Sequence, residues 1–311
     1  MNRMNRMKRV ILGAVIAAGS VAQAERIAYE GFESSAYGDK ASGIYKRNHS
    51  LRHAANVDVR GGAIVGFGVN NWHGNTELFK SSLKDGGLTS GSFGIENSGR
   101  AELTGPGGPL GVRMVGRRVN AVSDVRTLYM SGMLRTSALD TTASSYLDGC
   151  AMGFADSELG QEYNSGKFHG LLFGFDGNGK GADLVVWGGG KRKVVASNVS
   201  ADVTYHVVVE IVFNPSGDES VKVWLNPTAA TGPGDCITEF TGEYADNLSD
   251  FSFATLYVRS AGTGIMTFDE LMLATEYSDV MPKPPSFLLG FLRPVLFEEF
   301  RMQSECKGER G

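Results

Sequence analysis

Motif-forming residues are scarce in this chain. Its 311 residues include three cysteines, Cys150, Cys236 and Cys306, and no C-x-x-C pair, so a compact structural zinc site is not expected. Proline occurs 9 times. Glycine is abundant at 42 but follows no three-residue period, which excludes a collagen-like rod. A basic face is lacking too: the net charge is −4 and the pI is near 5.8, against a nucleic-acid partner. No Gly-x-Ser-x-Gly elbow is present, and Gly105-Pro-Gly-Gly lacks the Lys-Ser/Thr of a phosphate loop. No long amphipathic helical period is found; Asp156 to Tyr163 suits a short helix at most.

The first 24 residues have the three parts of a secretory signal. Arg3, Arg6, Lys8 and Arg9 make a positive start, Val10 to Val21 is largely apolar, and Ala22-Gln23-Ala24 supplies the small residues of a cleavage site. Cleavage is expected between Ala24 and Glu25. The apolar run is too short to cross a hydrocarbon core of about 30 Å, so a stable transmembrane span is not expected. The chain is therefore expected to be secreted, periplasmic or at the cell surface.

Glycine scattered at irregular points signals many tight turns between strands. Apolar runs with strand character recur about every 8–15 residues. The clearest are 125–135, 150–154, 168–175, 184–187, 204–213, 221–225, 251–259 and 265–273. Asp176 to Asp183 reads as a hairpin turn between two of them, and Asn214 to Asp218 as another. Pro227 ends the second hairpin, because proline cannot donate to a ladder. Residues 228–250 read as a long loop. The expected fold is all-β, a two-sheet antiparallel jelly-roll sandwich over residues 25–281. In the closing strand Asp269 and Glu270 interrupt an apolar run. On a regular strand they face opposite sides, one satisfied by backbone or a basic partner and the other in solvent.

Several residues invite a functional reading. Asp176, Asn178 and Asp183 on a Gly-rich turn offer hard oxygen ligands to Ca²⁺, although the same residue types are favoured in hairpin turns anyway. Trp72, flanked by Asn71 and His73, sits in a polar, sugar-friendly setting; Trp187 and Trp224 lie in apolar strands and suit a core. Cys150 and Cys236 suit either a disulfide, leaving Cys306 in the tail, or two buried small apolar side chains. His49 and His53 are spaced i, i+4 without a metalloprotease glutamate between them. His206 reads as a solvent-facing sheet residue. Glycosidase chemistry needs two carboxyls about 5–9.5 Å apart, and the Glu-x-Asp-x-x-Glu strand of jelly-roll glucanases is absent.

The run Phe268-Asp-Glu-Leu-Met-Leu-Ala-Thr-Glu-Tyr-Ser-Asp-Val-Met-Pro282 resembles the closing strand of exported jelly-roll proteins of planctomycete and verrucomicrobial type. Those are concanavalin A-like, laminin-G-like sandwiches. Their pattern there is Phe/Ile-Asp-Glu-Leu-Arg, then Gly/Ala-Thr-Thr, then a run to Val-x-Pro; Met272 stands here where Arg is usual. Tyr29-Glu-Gly-Phe32, Tyr205-His-Val-Val-Val-Glu210 and Val221-Lys-Val-Trp-Leu-Asn-Pro227 extend the resemblance over residues 26–282. Many such relatives end in a PEP-CTERM sorting tail. Here Lys283 replaces that motif's Glu, and Arg293 and Pro294 break the apolar run, so residues 282–311 read as a disordered or degenerate sorting tail.

The resemblance implies a fold more than an activity. The expected function is that of an exported noncatalytic, lectin-like protein, carbohydrate-binding or adhesive at the cell surface, its partner a polysaccharide or surface glycan. The alternatives are a polysaccharide-degrading enzyme of jelly-roll glucanase type and a structural surface protein without a small ligand.

Overall fold

The computed structural model describes residues 26–32, 64–65, 73–74, 80–90, 99–104, 112–120, 125–137, 150–156, 170–178, 181–188, 191–214, 216–228, 234, 236–242, 251–259 and 265–281. Trp72, Asn71, the signal segment, the proposed cleavage site, most of residues 156–163 and the tail from residue 282 lie outside them. Among the described residues there are sixteen strands. The first six are β1 (Arg26–Glu30), β2 (Ile64–Val65), β3 (His73–Gly74), β4 (Lys80–Asp85), β5 (Gly99–Thr104) and β6 (Val112–Arg118). Then come β7 (Thr127–Thr136), β8 (Cys150–Ala155), β9 (Gly170–Gly177), β10 (Ala182–Gly188) and β11 (Lys191–Val199). The chain continues with β12 (Tyr205–Val212), β13 (Glu219–Leu225), β14 (Thr238–Gly242), β15 (Phe253–Arg259) and β16 (Ile265–Ala274).

They form two antiparallel sheets. One runs β14-β13-β12-β7-β16-β1-β2, with β5 beside the first half of β16 and β4 outside β5; the other runs β11-β10-β9-β8-β15-β6-β3. The chain passes from sheet to sheet at β2–β3–β4, at β5–β6–β7–β8, at β11–β12 and at β14–β15–β16, while β8 to β11 and β12 to β14 are meanders within one sheet. This wrapping is the expected jelly-roll sandwich. Residues 176–183 and 214–218 make the two predicted hairpins. β4, β5 and β14 are among the strands that went unread in the sequence. β4 and β5 are mostly polar and are held by pairing to β16 through β5, and β14 is an edge strand in which Phe240 is the buried large side chain.

The main core lies between the sheets. Leu134, Val207 and Phe268 from one meet Phe154, Phe173 and Leu184 from the other. Burial of each such side chain stabilises the fold by about 1.5–3 kcal/mol. The sheets are apolar on their outward faces as well. Met133, Val208, Trp224 and Met272 on the nine-stranded sheet are covered by Leu88 and by residues 277–281. Leu172, Val185, Trp187 and Tyr257 form a second outward cluster on the seven-stranded sheet. Trp187 and Trp224 are thus buried packing residues, as the sequence implied.

The closing strand departs from the regular alternation read in its sequence. Met266 and Phe268 point into the main core, and so do Leu271 and Leu273, which have the opposite parity. Asp269 lies opposite Met133 and Met272 opposite Ser131, so three steps on β16 match two on β7. This is a β-bulge, and it moves every later side chain to the other face. Glu270 absorbs the extra residue at φ +53°, in the left-handed region.

β8 and β9 approach too closely for a side chain at Gly174, where a Cβ would stand 1.9 Å from the Cys150 carbonyl oxygen and 2.5 Å from the Ala151 Cα. Gly174→Ala is expected to destabilise the protein by roughly 3 kcal/mol, because backbone must move. Gly181→Ala, whose Cβ meets nothing nearer than 3.9 Å, should stay within about 0.5 kcal/mol of the parent. Urea titration of the two variants provides the comparison.

Candidate functional site

The hairpin between β9 and β10 brings the proposed calcium residues together. Asp176 faces Asp183 across the ladder, and Asn178 donates to Asp183 Oδ1 at 2.6 Å. The Asn178 Oδ1 accepts from the Gly181 amide at 2.8 Å, and the Asn198 amide donates to Asp183 Oδ1 at 3.1 Å. What the two carboxylates hold in common is Arg192 from β11. Its Nε donates to Asp176 Oδ2, and its second terminal nitrogen lies 3.5 Å from Asp183 Oδ2. At the expected Ca²⁺ position the guanidinium places a positive charge beside both carboxylates. No group of three His, Cys, Asp or Glu suited to a metal ion occurs among the described residues.

The predicted sugar-binding triplet is represented here by His73 alone, the first residue of β3, opposite Gly116. The proposed Cys150–Cys236 disulfide is corrected. Cys150 lies in the core between the sheets, whereas Cys236 packs against the cluster on the outward face of the nine-stranded sheet; both are free thiols. Burial pushes the Cys150 thiol up to about 12.

That outward face carries the densest polar chemistry. At its centre His206, Met133 and Asp269 form one cross-strand row. A short strap, residues 86–90, crosses the row. Asp269 Oδ2 accepts from the Leu88 amide at 2.7 Å, and the Ser90 hydroxyl reaches Asn226 Oδ1 at 3.0 Å. Asp269 Oδ1 accepts from the Glu270 amide at 2.9 Å, and the Tyr29 hydroxyl donates to Glu270 Oε1 at 3.2 Å. Both acids are buried. The bulge therefore overturns the expectation that one of the pair faces solvent, while backbone satisfaction of Asp269 matches it. His206, expected in solvent, is 0% exposed, and burial lowers its pKa to about 4.

Two rows along, past Val208 and Ser131, the face becomes partly accessible. Glu210 receives hydrogen bonds from the Tyr129 hydroxyl and, at 3.3 Å, from the Lys222 ammonium. Tyr129 and Lys222 are partly exposed, and Glu239 and Glu276 are exposed beside them. Burial, then the bond to Glu210, then the charges of Glu210 and Glu276 raise the Tyr129 pKa; the bond to Glu210 leads the causes that raise Lys222. Behind this rim stand Trp224 and Tyr277, edge to face at 6.0 Å, with Tyr129 meeting Tyr277 at 6.2 Å. The Ser131 hydroxyl holds the covering segment by donating to the Val280 carbonyl. The rim did not emerge from the sequence reading, yet a signal for it exists: a turn centred on Ser216 places Glu210 opposite Lys222.

No family model matches the chain, and no curated protein matches it. Solved structures with partial similarity include an endo-β-1,4-glucuronan lyase from the fungus Trichoderma reesei, at 14% identity and a TM-score of 0.38, covering 66% of this chain and 92% of that one. The alginate lyase Aly36B is 12% identical with a TM-score of 0.38, over 80% of this chain and 97% of its own. The carbohydrate recognition domain of Emp46p is 13% identical with a TM-score of 0.34, over 62% and 87%.

Two outcomes follow from the buried row. The folded pKa of His206 lies below its unfolded value, so stability is full above about pH 6.5 and falls as the pH drops toward 4. The loss from this residue approaches about 3 kcal/mol below pH 4. His206→Gln should flatten that limb in urea titrations at pH 7, 5.5 and 4. Asp269→Ala strands the Leu88 and Glu270 amides and should cost about 3 kcal/mol, measured at pH 7 by the same titration.

Proposed function

We propose that the chain is an exported, noncatalytic β-sandwich protein that binds carbohydrate through the rim formed by Tyr129, Glu210 and Lys222. One observation carries this reading. A hydroxyl, a buried carboxylate and an ammonium are fixed in one hydrogen-bonded row, beside an aromatic cluster, with the Tyr129 and Lys222 side chains partly exposed. A sugar ring presents hydroxyls at its edge and C–H groups on its faces, which such polar groups and a tyrosine ring complement. The carboxylates at the bulge support the noncatalytic part of the reading. Asp269 and Glu270 are buried and spent on the Leu88 amide, the Glu270 amide and the Tyr29 hydroxyl, rather than facing each other across a cleft as glycosidic hydrolysis requires. The export signal supports a partner outside the cytoplasm, such as a polysaccharide or a surface glycan.

Binding to a panel of soluble and insoluble polysaccharides, with product release followed in parallel, tests the proposal. The parent protein should bind at least one glycan without shortening it. Tyr129→Phe and Lys222→Ala should each weaken that binding about tenfold, with unchanged circular dichroism. Depolymerisation of the glycan overturns the noncatalytic reading, and full binding by the double variant overturns the assignment of the rim.

A further inference from the structure

The Tyr129–Glu210–Lys222 rim belongs to a wider polar band on the outward face of the nine-stranded sheet. Its cross-strand row runs on to Glu239 of β14, which lies directly opposite Lys222. The next outward row, two residues further along each strand, is Thr127, Val212, Ser220 and Thr241. Thr127, Val212 and Ser220 are partly exposed and Thr241 is exposed. The three hydroxyls of that row are engaged by no hydrogen bond among the described residues. Charge on the band is unequal. Glu210 is buried and already bonded to Tyr129 and Lys222. Glu239 and Glu276 are exposed and form no ion pair among the described residues. Three carboxylates therefore act here against one ammonium. The bond to Glu210 leads the causes that raise the Lys222 pKa, and the charge of Glu239 adds to it. Burial and Glu210 raise Tyr129, and the charge of Glu276 adds to them. Lys193 of β11 lies over the ring of Phe240, which faces the core rather than the band.

From this arrangement we propose that the band takes an uncharged polysaccharide laid across β7, β12, β13 and β14, and rejects polyuronates. The inference rests on the rim as the carbohydrate site and adds the class of its ligand. Neighbouring strands lie about 4.8 Å apart, so four of them span roughly 14 Å, room for about three sugar units of an extended chain. Sugar hydroxyls donate to Glu239 and accept from Lys222, while the hydroxyls of Thr127, Ser220 and Thr241 serve in either sense. A polyuronate carries a carboxylate on every unit. Laid on the same band, it brings those charges beside Glu239 and Glu276, and the Lys222 ammonium that would offset them is already paired with Glu210. Like charges brought together in this way reject a ligand whose shape otherwise fits.

The experiment titrates the protein calorimetrically with two matched pairs of hexasaccharides: β-1,4-glucan against β-1,4-glucuronan, and β-1,4-mannan against β-1,4-mannuronan. Within a pair only C6 differs, as a hydroxymethyl or a carboxylate. At low ionic strength, where the Debye length is about 30 Å, the neutral member of at least one pair should bind about tenfold more tightly than its uronate. The ratio should shrink in about 1 M salt, where that length is about 3 Å. Combining Glu239→Gln with Glu276→Gln should shrink it about threefold at low salt by strengthening uronate binding. Ser220→Ala with Thr241→Ala should weaken the neutral hexamer about fivefold. The proposal is overturned by a uronate that binds as tightly as its neutral partner, by a ratio that the paired glutamine substitutions leave unchanged, or by binding to neither pair. A preference for uronates leaves the rim itself standing as long as Tyr129→Phe and Lys222→Ala still weaken binding. Full binding by those two variants removes the rim instead.

Discussion

The register of the closing strand depends on one buried hydrogen-bonded bulge. β16 has β7 along one side, and on the other it must serve β5 with its first half and β1 with its second. The change of partner falls at Asp269 and Glu270. An extra residue there turns the strand so that Met266 and Phe268 before it, and Leu271 and Leu273 after it, all enter the main core. The Asp269 carboxylate secures the turn by accepting from the Glu270 amide, and with its other oxygen it holds the strap that roofs His206. A left-handed non-glycine residue costs on the order of 1 kcal/mol, which the charge-assisted bonds offset. The acidic pair is thus a structural joint.

The two outward faces of the sandwich are organised differently. On the seven-stranded sheet the ionic cluster of Asp176, Asp183 and Arg192 locks the hairpin to edge strand β11. On the nine-stranded sheet the chain's own segments 86–90 and 277–281 cover the centre and leave the Glu210 row at the rim. Polar groups near the centre are committed to the fold; at the rim the Glu210 carboxylate is buried too, while the Tyr129 and Lys222 side chains that bond it are partly exposed.

Much of this was legible in the sequence. Long apolar strands, the hairpins at 176–183 and 214–218, and the packing roles of Trp187 and Trp224 follow from periodicity and turn chemistry, which are local. Features set by distant pairing were not. The bulge reverses the parity of β16, and nothing near Glu270 announces it, because its cause is the change of partner from β5 to β1. His206 looks solvent-facing until a strap from residues 86–90 is laid over it. The sequence shows Asp176 and Asp183 on one turn but not that the register of β11 delivers Arg192 to them. The Glu210–Lys222 pair lay closest to view, since the hairpin that aligns them was itself predicted.

The last two strands of the chain, β15 and β16, lie in the interior of the two sheets, flanked by strands made much earlier. The seven-stranded sheet is not continuous until residue 259 is present, and the nine-stranded sheet not until residue 274. A chain synthesised from its N-terminus therefore has its halves unjoined until these strands appear, and closes as one cooperative event at the end. Such a topology has high contact order and folds slowly.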